Sequence, residues 1–135
     1  MKNIKDFLNR GDRFAANAGA VITEVGEGFA RAEMTVTAEH LNAGGVCQGG
    51  AIFTLADLAL AAVMNGRGQL TFGLQSTIAF LHSAHVGDTL IAEATETFNH
   101  HKIPYAEVKV TNQDGQLISA FTGVAYRTNK TTDET

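Results

Sequence analysis

The chain has 135 residues, of which 44% are hydrophobic, and a formal net charge of -4 without any run of lysine or arginine. This length predicts one domain over residues 1–135, and the negative charge argues against nucleic-acid binding, which needs a basic face. The single cysteine, Cys47, excludes an intrachain disulfide and a CxxC metal pair, so we expect a reducing, cytoplasmic location.

The first elements in chain order are a helix and a hairpin. Apolar residues at helical spacing predict a short helix at about residues 2–18, broken near Gly11 and closed by Gly19. Charged residues within this segment leave no apolar core for a signal peptide. The period then changes to that of strands, which we predict over 20–25 and 29–36, joined by a Gly-Glu-Gly turn.

A glycine-rich loop and one apolar helix form the middle of the chain. Residues 39–50 lose periodicity and hold several glycines, so the backbone there must bend or approach a ligand closely. Residues 51–65 are apolar almost all round and end at Gly66, in the position of a helix C-cap. This pattern predicts a helix wrapped by protein on most sides, and one too short to span a bilayer.

Four more strands are predicted after this helix. They cover residues 70–81, 89–99, 105–112 and 117–127, with a Gln-Asp-Gly hairpin signal between the last two. The polar tail, residues 128–135, is expected to fray. An antiparallel, curved sheet wrapped around one long buried helix satisfies this order of elements, so we predict an α+β protein with the hotdog fold.

Asp57 is the most informative residue, because it is the only ionisable side chain of the predicted helix. Such a carboxylate costs on the order of several kcal/mol unless it is paired, hydrogen-bonded or next to water, although a solvent-facing position would also explain it. Gly49 and Gly50 lie where the helix should begin, and unpaired N–H groups there could hold a developing oxyanion. With the amide of Asn42, these groups could activate water, or attack directly, at a polarised carbonyl.

Other polar residues have simpler interpretations. Cys47 lacks a paired base, so we expect it to pack in the core. Arg67 and Arg127 are interpreted as solvated charges, whereas Lys102, in a turn between two long strands, is the best candidate to bind a phosphate. Four histidines show no spacing that completes a tetrahedral site, so we expect neither a metal nor a cofactor. These histidines are His82, His85, His100 and His101.

Residues 40–68, HLNAGGVCQGGAIFTLADLALAAVMNGRG, resemble the signature segment of the phenylacetate-pathway (PaaI-like) hotdog thioesterases. In that family an Asn, a His-Gly-Gly step and an Asp nine residues after the His recur. The similarity extends over about residues 19–127 and includes FLHSAHVGDTL at 80–90, which resembles the family's strand and Gly-Asp turn.

The resemblance implies an acyl-CoA thioesterase with three assigned groups. Asp57 matches the catalytic carboxylate, Gly49 the residue whose N–H holds the thioester carbonyl, and Asn42 the amide that positions water or the carboxylate. It further implies that Asp57 comes from one subunit and the other two residues from its dimer partner. We therefore expect a homodimer with shared sites, assembled into a dimer of dimers, in which the strand at 70–81 pairs or packs across a two-fold axis.

The sequence departs from the family pattern at three places. Gln48 stands where His is usual, which removes any role of that imidazole. His82-Ser83 replaces a common Arg-Pro step, and His101 precedes Lys102 where Gly is common, both at positions where relatives contact CoA. The expected substrate-binding residues are Gln48, Gly50, Ser76, Thr77, His82, His101 and Lys102.

These features predict hydrolysis of an aromatic or medium-chain acyl-CoA, with Asp57 as general base or as nucleophile. One alternative on the same fold is a hydratase or dehydratase of acyl thioesters, which usually needs a His in the loop where this chain has Gln48. The other is a non-catalytic protein that binds CoA or acyl-CoA. Asp57 in a costly apolar setting weighs against that second alternative.

Overall fold

The computed structural model describes residues 3–134, and its elements follow the predicted order. Two short helices come first, and a long helix lies between the second and third strands. The helices are α1 (Ile4–Gly11), α2 (Arg13–Ala18) and α3 (Gly49–Asn65), and the strands are β1 (Val21–Gly26), β2 (Phe29–Thr35), β3 (Gln69–Phe80), β4 (Thr89–Phe98), β5 (Tyr105–Thr111) and β6 (Leu117–Thr131).

The predicted N-terminal helix is two helices that meet at Asp12. Its side-chain Oδ1 accepts a hydrogen bond from Ala15 N at 3.0 Å, which caps α2. Helix α2 is followed by a C-cap at Gly19, whose φ of +83° is the left-handed conformation that glycine adopts at low cost. Both helices pack against α3, so this segment covers part of the long helix.

The strands form one antiparallel sheet with the order β1-β2-β4-β5-β6-β3. Ten of the 17 residues of α3 are buried, and the helix contacts every strand of this sheet. This packing confirms the predicted α+β arrangement with one long buried helix. Strand β3 lies at one edge and pairs only with β6 within the described chain, so its other side offers free backbone groups.

The end of the chain differs from the prediction. Strand β6 continues to Thr131 rather than stopping at Arg127, because β3 is long enough to pair with it as far as Gln69. Thr128 Oγ1 donates a hydrogen bond to Leu70 O at 2.7 Å, and Thr132 is buried. The expectation of a frayed tail is therefore wrong for residues 128–134.

Arg127 is not a solvated charge, which corrects a second expectation. The alternation of β6 puts it on the helix-facing side with Phe121 and Ala125, and it is only 6% exposed. Its Nη1 donates a hydrogen bond to His100 O at 3.0 Å. Arg67 is held as well, through a two-point ion pair with Glu96 that ties the end of α3 to β4.

Candidate active site

Helix α3 begins at Gly49, so the two glycines expected at the helix start form its first residues, ahead of the apolar run predicted over 51–65. The side chain of Gln48 supplies the cap, since its Oε1 accepts a hydrogen bond from Gly50 N at 2.6 Å. The Gly49 N–H finds no acceptor within residues 3–134. It therefore remains available, at the positive end of the helix dipole, for an oxygen atom of a ligand.

Gly49 lies in close contact with the side chain of Phe80. A Cβ added at this position would lie 2.8 Å from Cζ of Phe80, inside any normal carbon–carbon contact. The Phe80 ring, itself 53% exposed, thus covers one side of the helix start. From the sequence, the glycine was expected either for a turn into the helix or for close approach of a ligand, and contact with Phe80 could not be foreseen because that residue is 31 positions away.

Asn42 shapes the loop before the helix. Its Oδ1 accepts hydrogen bonds from Gly44 N at 2.9 Å and Val46 N at 3.2 Å, so the amide oxygen is used in the loop itself. Its Nδ2 has no partner among the described residues. That NH2 group is the part of Asn42 that can reach water or a carboxylate.

Asn42 and Gly49 line the same cavity, of about 390 Å³, together with Phe80, His82 and Ser83. The Nδ1 of His82 lies 2.8 Å from Leu117 O and donates a hydrogen bond to this carbonyl oxygen. Two predicted catalytic residues and one predicted CoA contact are therefore neighbours. They form the first half of the candidate site.

Asp57 forms the second half, in a different cavity of about 730 Å³. Its carboxylate has neither an ion pair nor a hydrogen bond within the described part of the chain. The residue is exposed in the single chain, yet the apolar protein around it removes enough water to raise its pKa, and the charge of Asp12 raises that pKa further. An unpaired carboxylate of this kind can take a proton from water or attack a carbonyl.

The walls of the Asp57 cavity are mainly apolar and come from α1, α3 and β3. Ser76 is the predicted substrate contact that lines it. Thr77 lies outside the lining, and its hydroxyl accepts a hydrogen bond from Nε2 of Gln75, which does line the cavity. The apolar wall residues include Phe7, Leu8, Phe53, Leu60, Met64 and Leu70. The contribution of α1 to this cavity could not be predicted from the sequence, because no local pattern indicates which helix packs against which cavity.

One chain does not bring Asp57 and Gly49 together. They are eight positions apart on α3, which amounts to about 12 Å along a helix axis. Their cavities also lie at opposite ends of the edge strand, since one is lined by residues 70–76 and the other by residues 80–84. A single thioester carbonyl cannot contact both groups of the same chain.

The remaining predicted contacts lie elsewhere. Gln48 and Gly50 line a third cavity, of about 600 Å³, and the Gly50 N–H is occupied by Gln48. His101 and Lys102 are exposed in the turn between β4 and β5, outside the linings of these three cavities. Cys47 is buried and packs in the core, where burial and then the charge of Asp88 raise the pKa of its thiol.

Residues 3–134 show neither a metal-binding cluster nor a membrane-spanning helix. They contain no group of three or more His, Cys, Asp or Glu side chains arranged to hold a metal ion. They also contain no helix long and apolar enough to cross a membrane.

Comparison with known proteins gives the relatives of this chain. Residues 44–119 match the family model of the thioesterase superfamily. The chain is 38% identical over 130 residues to a putative esterase of Archaeoglobus fulgidus, covering 96% of this chain and 84% of the relative. It is 35% identical over 116 residues to the acyl-coenzyme A thioesterase PaaI of Escherichia coli, covering 86% and 83% of the two chains.

Solved structures give the same result. The structure of E. coli PaaI, from the phenylacetic acid degradation operon, superposes with a TM-score of 0.90 at 33% identity, covering 93% of this chain and 91% of that one. A Streptococcus mutans protein bound to acetyl-CoA superposes with a TM-score of 0.78 at 30% identity, covering 82% and 89%. These similarities confirm the predicted hotdog fold.

Proposed function

The chain belongs to the thioesterase superfamily, as a PaaI-like thioester hydrolase, and from that membership we propose that it hydrolyses an aromatic or medium-chain acyl-CoA. The CoA part of the proposal is supported by the E. coli relative, which is an acyl-coenzyme A thioesterase, and by the S. mutans structure with acetyl-CoA. The acyl part is supported by the apolar walls and the size of the Asp57 cavity.

The observation that carries the proposal is the division of the site on α3. The unpaired carboxylate of Asp57 and the free N–H of Gly49 are the two groups that thioester hydrolysis needs, yet they open into different cavities. We therefore propose a site shared by two chains. In it Asp57 of one chain works with Gly49 and Asn42 of the other.

The free edge of β3 supports this assembly. It exposes Phe72 and Leu74 in its first half, where the Asp57 cavity lies, and Phe80 at its end, beside Gly49. Antiparallel pairing of two β3 strands about a two-fold axis sets the first half of one beside the second half of the other. Each Asp57 cavity then meets the Gly49 cavity of the partner subunit, and the exposed apolar side chains become buried.

The proposed reaction follows from these groups. Asp57 takes a proton from a water molecule whose oxygen attacks the thioester carbon, or it attacks that carbon itself to give an anhydride that water then cleaves. The carbonyl oxygen becomes negative and accepts the Gly49 N–H hydrogen bond. The carbon–sulfur bond breaks, and CoA leaves as the thiolate. In this proposal, the free Nδ2 of Asn42 donates to the attacking water or to the carboxylate.

Gln48 bears on the competing enzyme class. Its side chain caps α3 and carries no group that titrates near neutrality, so it cannot act as the acid or base of a hydratase. The proposed hydrolysis needs neither metal nor cofactor. Because the only cysteine is a free thiol, a reducing compartment suits the chain, and we propose that it works in the cytoplasm.

A panel of acyl-CoA substrates tests the proposal by release of free thiol. We expect turnover of phenylacetyl-CoA or hexanoyl-CoA, unchanged by a chelator, from a particle of at least two chains on sizing and scattering. A protein that binds these compounds without releasing thiol would be a binding protein. Activity lost with the chelator and restored by a divalent ion would contradict the metal-free mechanism.

A further inference from the structure

Asp12 reaches the proposed acyl cavity from a distant part of the chain. It lies at the joint of α1 and α2, and it lines the Asp57 cavity with Phe7 and Leu8 of α1. The cap bond to Ala15 N fixes one of its carboxylate oxygens. Its other oxygen has no partner among the described residues, so the side chain is held in place with its charge unpaired.

The charge inside this cavity is entirely negative. Asp12 from the joint of the first two helices and Asp57 from α3 are the only titratable residues among those of the described chain that line it. Strand β3 contributes residues 70–76 and β6 contributes Ala125, and none of these carries a charge. The influence of Asp12 is visible in the pKa of Asp57, which burial raises first and the Asp12 charge raises second.

We propose that Asp12 is a specificity-determining residue that excludes acyl groups ending in a carboxylate from the Asp57 cavity. A terminal carboxylate would enter an apolar space whose lining within residues 3–134 holds two carboxylates and no cation, so it would lose its hydration and be repelled. An acyl group with an apolar end has no charge to desolvate and is not repelled by the two carboxylates, and it gains contact with the apolar walls of the cavity. This inference rests on the proposed function, because it assumes that the acyl group occupies this cavity.

Asp12→Asn removes the negative charge at position 12 while keeping the oxygen that caps α2. Asparagine caps helices as well as aspartate does, so the bond to Ala15 N and the start of α2 should persist. Asp12→Ser keeps a capping oxygen by different chemistry and serves as a second variant. Asp6→Asn is the matched control, since Asp6 is an exposed carboxylate of α1 that does not line the cavity.

The test compares hexanoyl-CoA with adipoyl-CoA, two six-carbon acyl groups that differ in the terminal carboxylate. We expect the wild-type protein to prefer hexanoyl-CoA in kcat/KM, and Asp12→Asn to narrow that preference by about tenfold. The acid limb of kcat/KM for hexanoyl-CoA should move to lower pH, because the Asp57 carboxylate no longer ionises beside a like charge. A folded Asp12→Asn variant with unchanged preference would overturn the proposal, as would an equal change in Asp6→Asn.

A carboxyl titration by NMR separates this inference from the proposed function. The pKa of Asp57 should fall in Asp12→Asn and in Asp12→Ser but stay the same in Asp6→Asn. If the wild-type protein hydrolyses no acyl-CoA, the proposed function fails while the titration still tests the coupling of the two carboxylates. If the pKa of Asp57 is the same in the wild-type protein and in both Asp12 variants, Asp12 lies too far from Asp57 to exclude a carboxylate from the cavity.

Discussion

Asp57 carries a charge that the folded chain does not compensate. Its pKa is raised by loss of water and by Asp12, and no described residue donates to it or pairs with it. A carboxylate kept in that state destabilises the fold at neutral pH and is therefore informative about function. Two properties of the protein, turnover and stability, should respond to its neutralisation in opposite directions.

Asp57→Asn should lower kcat by about 10² or more, because the amide can neither take a proton nor form the anhydride. In the wild-type protein the acid limb of kcat/KM should lie above the ordinary aspartate range of about 4, because the folded pKa is raised. Asp114→Asn, which neutralises an exposed hairpin carboxylate, is the control. Full turnover by Asp57→Asn in a thiol-release assay would exclude the assigned role.

The same variant should be more stable than the wild-type protein at neutral pH. A carboxyl whose folded pKa is raised contributes stability that is present below its unfolded pKa and lost as pH rises through the folded value. Asp57→Asn does not suffer that loss. Its melting temperature should exceed that of the wild-type protein at pH 7, and the difference should close near pH 3, where the wild-type carboxyl is also neutral.

Gly49 offers a test of its backbone N–H. Gly49→Pro removes that N–H at the first helical position, where proline is well tolerated, and the extended backbone of Gln48 (ψ 139°) suits a following proline. Gly49→Ala adds the same Cβ toward Phe80 and keeps the N–H, so it is the matched control. We expect kcat of the proline variant to fall about 10² to 10³ below that of the alanine variant. Equal kcat values in the two variants would contradict the oxyanion role.

At the scale of elements, the ion pair of Arg67 fixes the end of α3 to the sheet. Arg67 Nη2 and Nε contact the two Glu96 carboxylate oxygens at 2.7 and 3.0 Å. The Glu96 side chain is only 11% exposed. Its pKa is lowered, first by the hydrogen bond from Arg67. Removal of the arginine would therefore leave a largely buried carboxylate without its main partner.

Arg67→Met should lower the free energy of unfolding by about 1 to 2 kcal/mol at pH 7. A lowered folded pKa contributes stability above the unfolded pKa that is lost as pH falls through the folded value, so the deficit should shrink in acid. Urea titrations at pH 7 and pH 4 measure both effects. Arg13→Met, at an exposed arginine, should show neither.

The sequence predicted elements whose pattern is local and missed features that depend on folding. The alternation of apolar and polar residues predicted most of each strand, and the long apolar run predicted α3. The apolar run begins at residue 51, two residues inside α3, because Gly49 and Gly50 are poor helix formers that depend on the Gln48 cap. The burial of Arg127 depends on the extra length of β6, and the position of Asp12 depends on α1 crossing α3.

At the scale of the whole molecule, the candidate site is incomplete in one chain. The motif identified Asp57, Gly49 and Asn42 together, because they lie close in sequence, but spacing along a helix is also what keeps the first two about 12 Å apart. Their roles stay predictions, and so does their meeting across β3. The free edge of that strand and its exposed Phe72 and Leu74 are the features that a second copy would cover.

Mixing two inactive variants tests this assembly directly. In a dimer of Asp57→Asn with Gly49→Pro, one site holds both substitutions, and the other combines an intact Asp57 with an intact Gly49. Random exchange between equal amounts makes half of the dimers mixed, so about a quarter of wild-type activity should return. Differently tagged chains establish that exchange has occurred, and Asp57→Asn mixed with its own tagged copy should stay inactive. If exchange is complete and no activity returns, Asp57 and Gly49 do not meet across the two-fold axis.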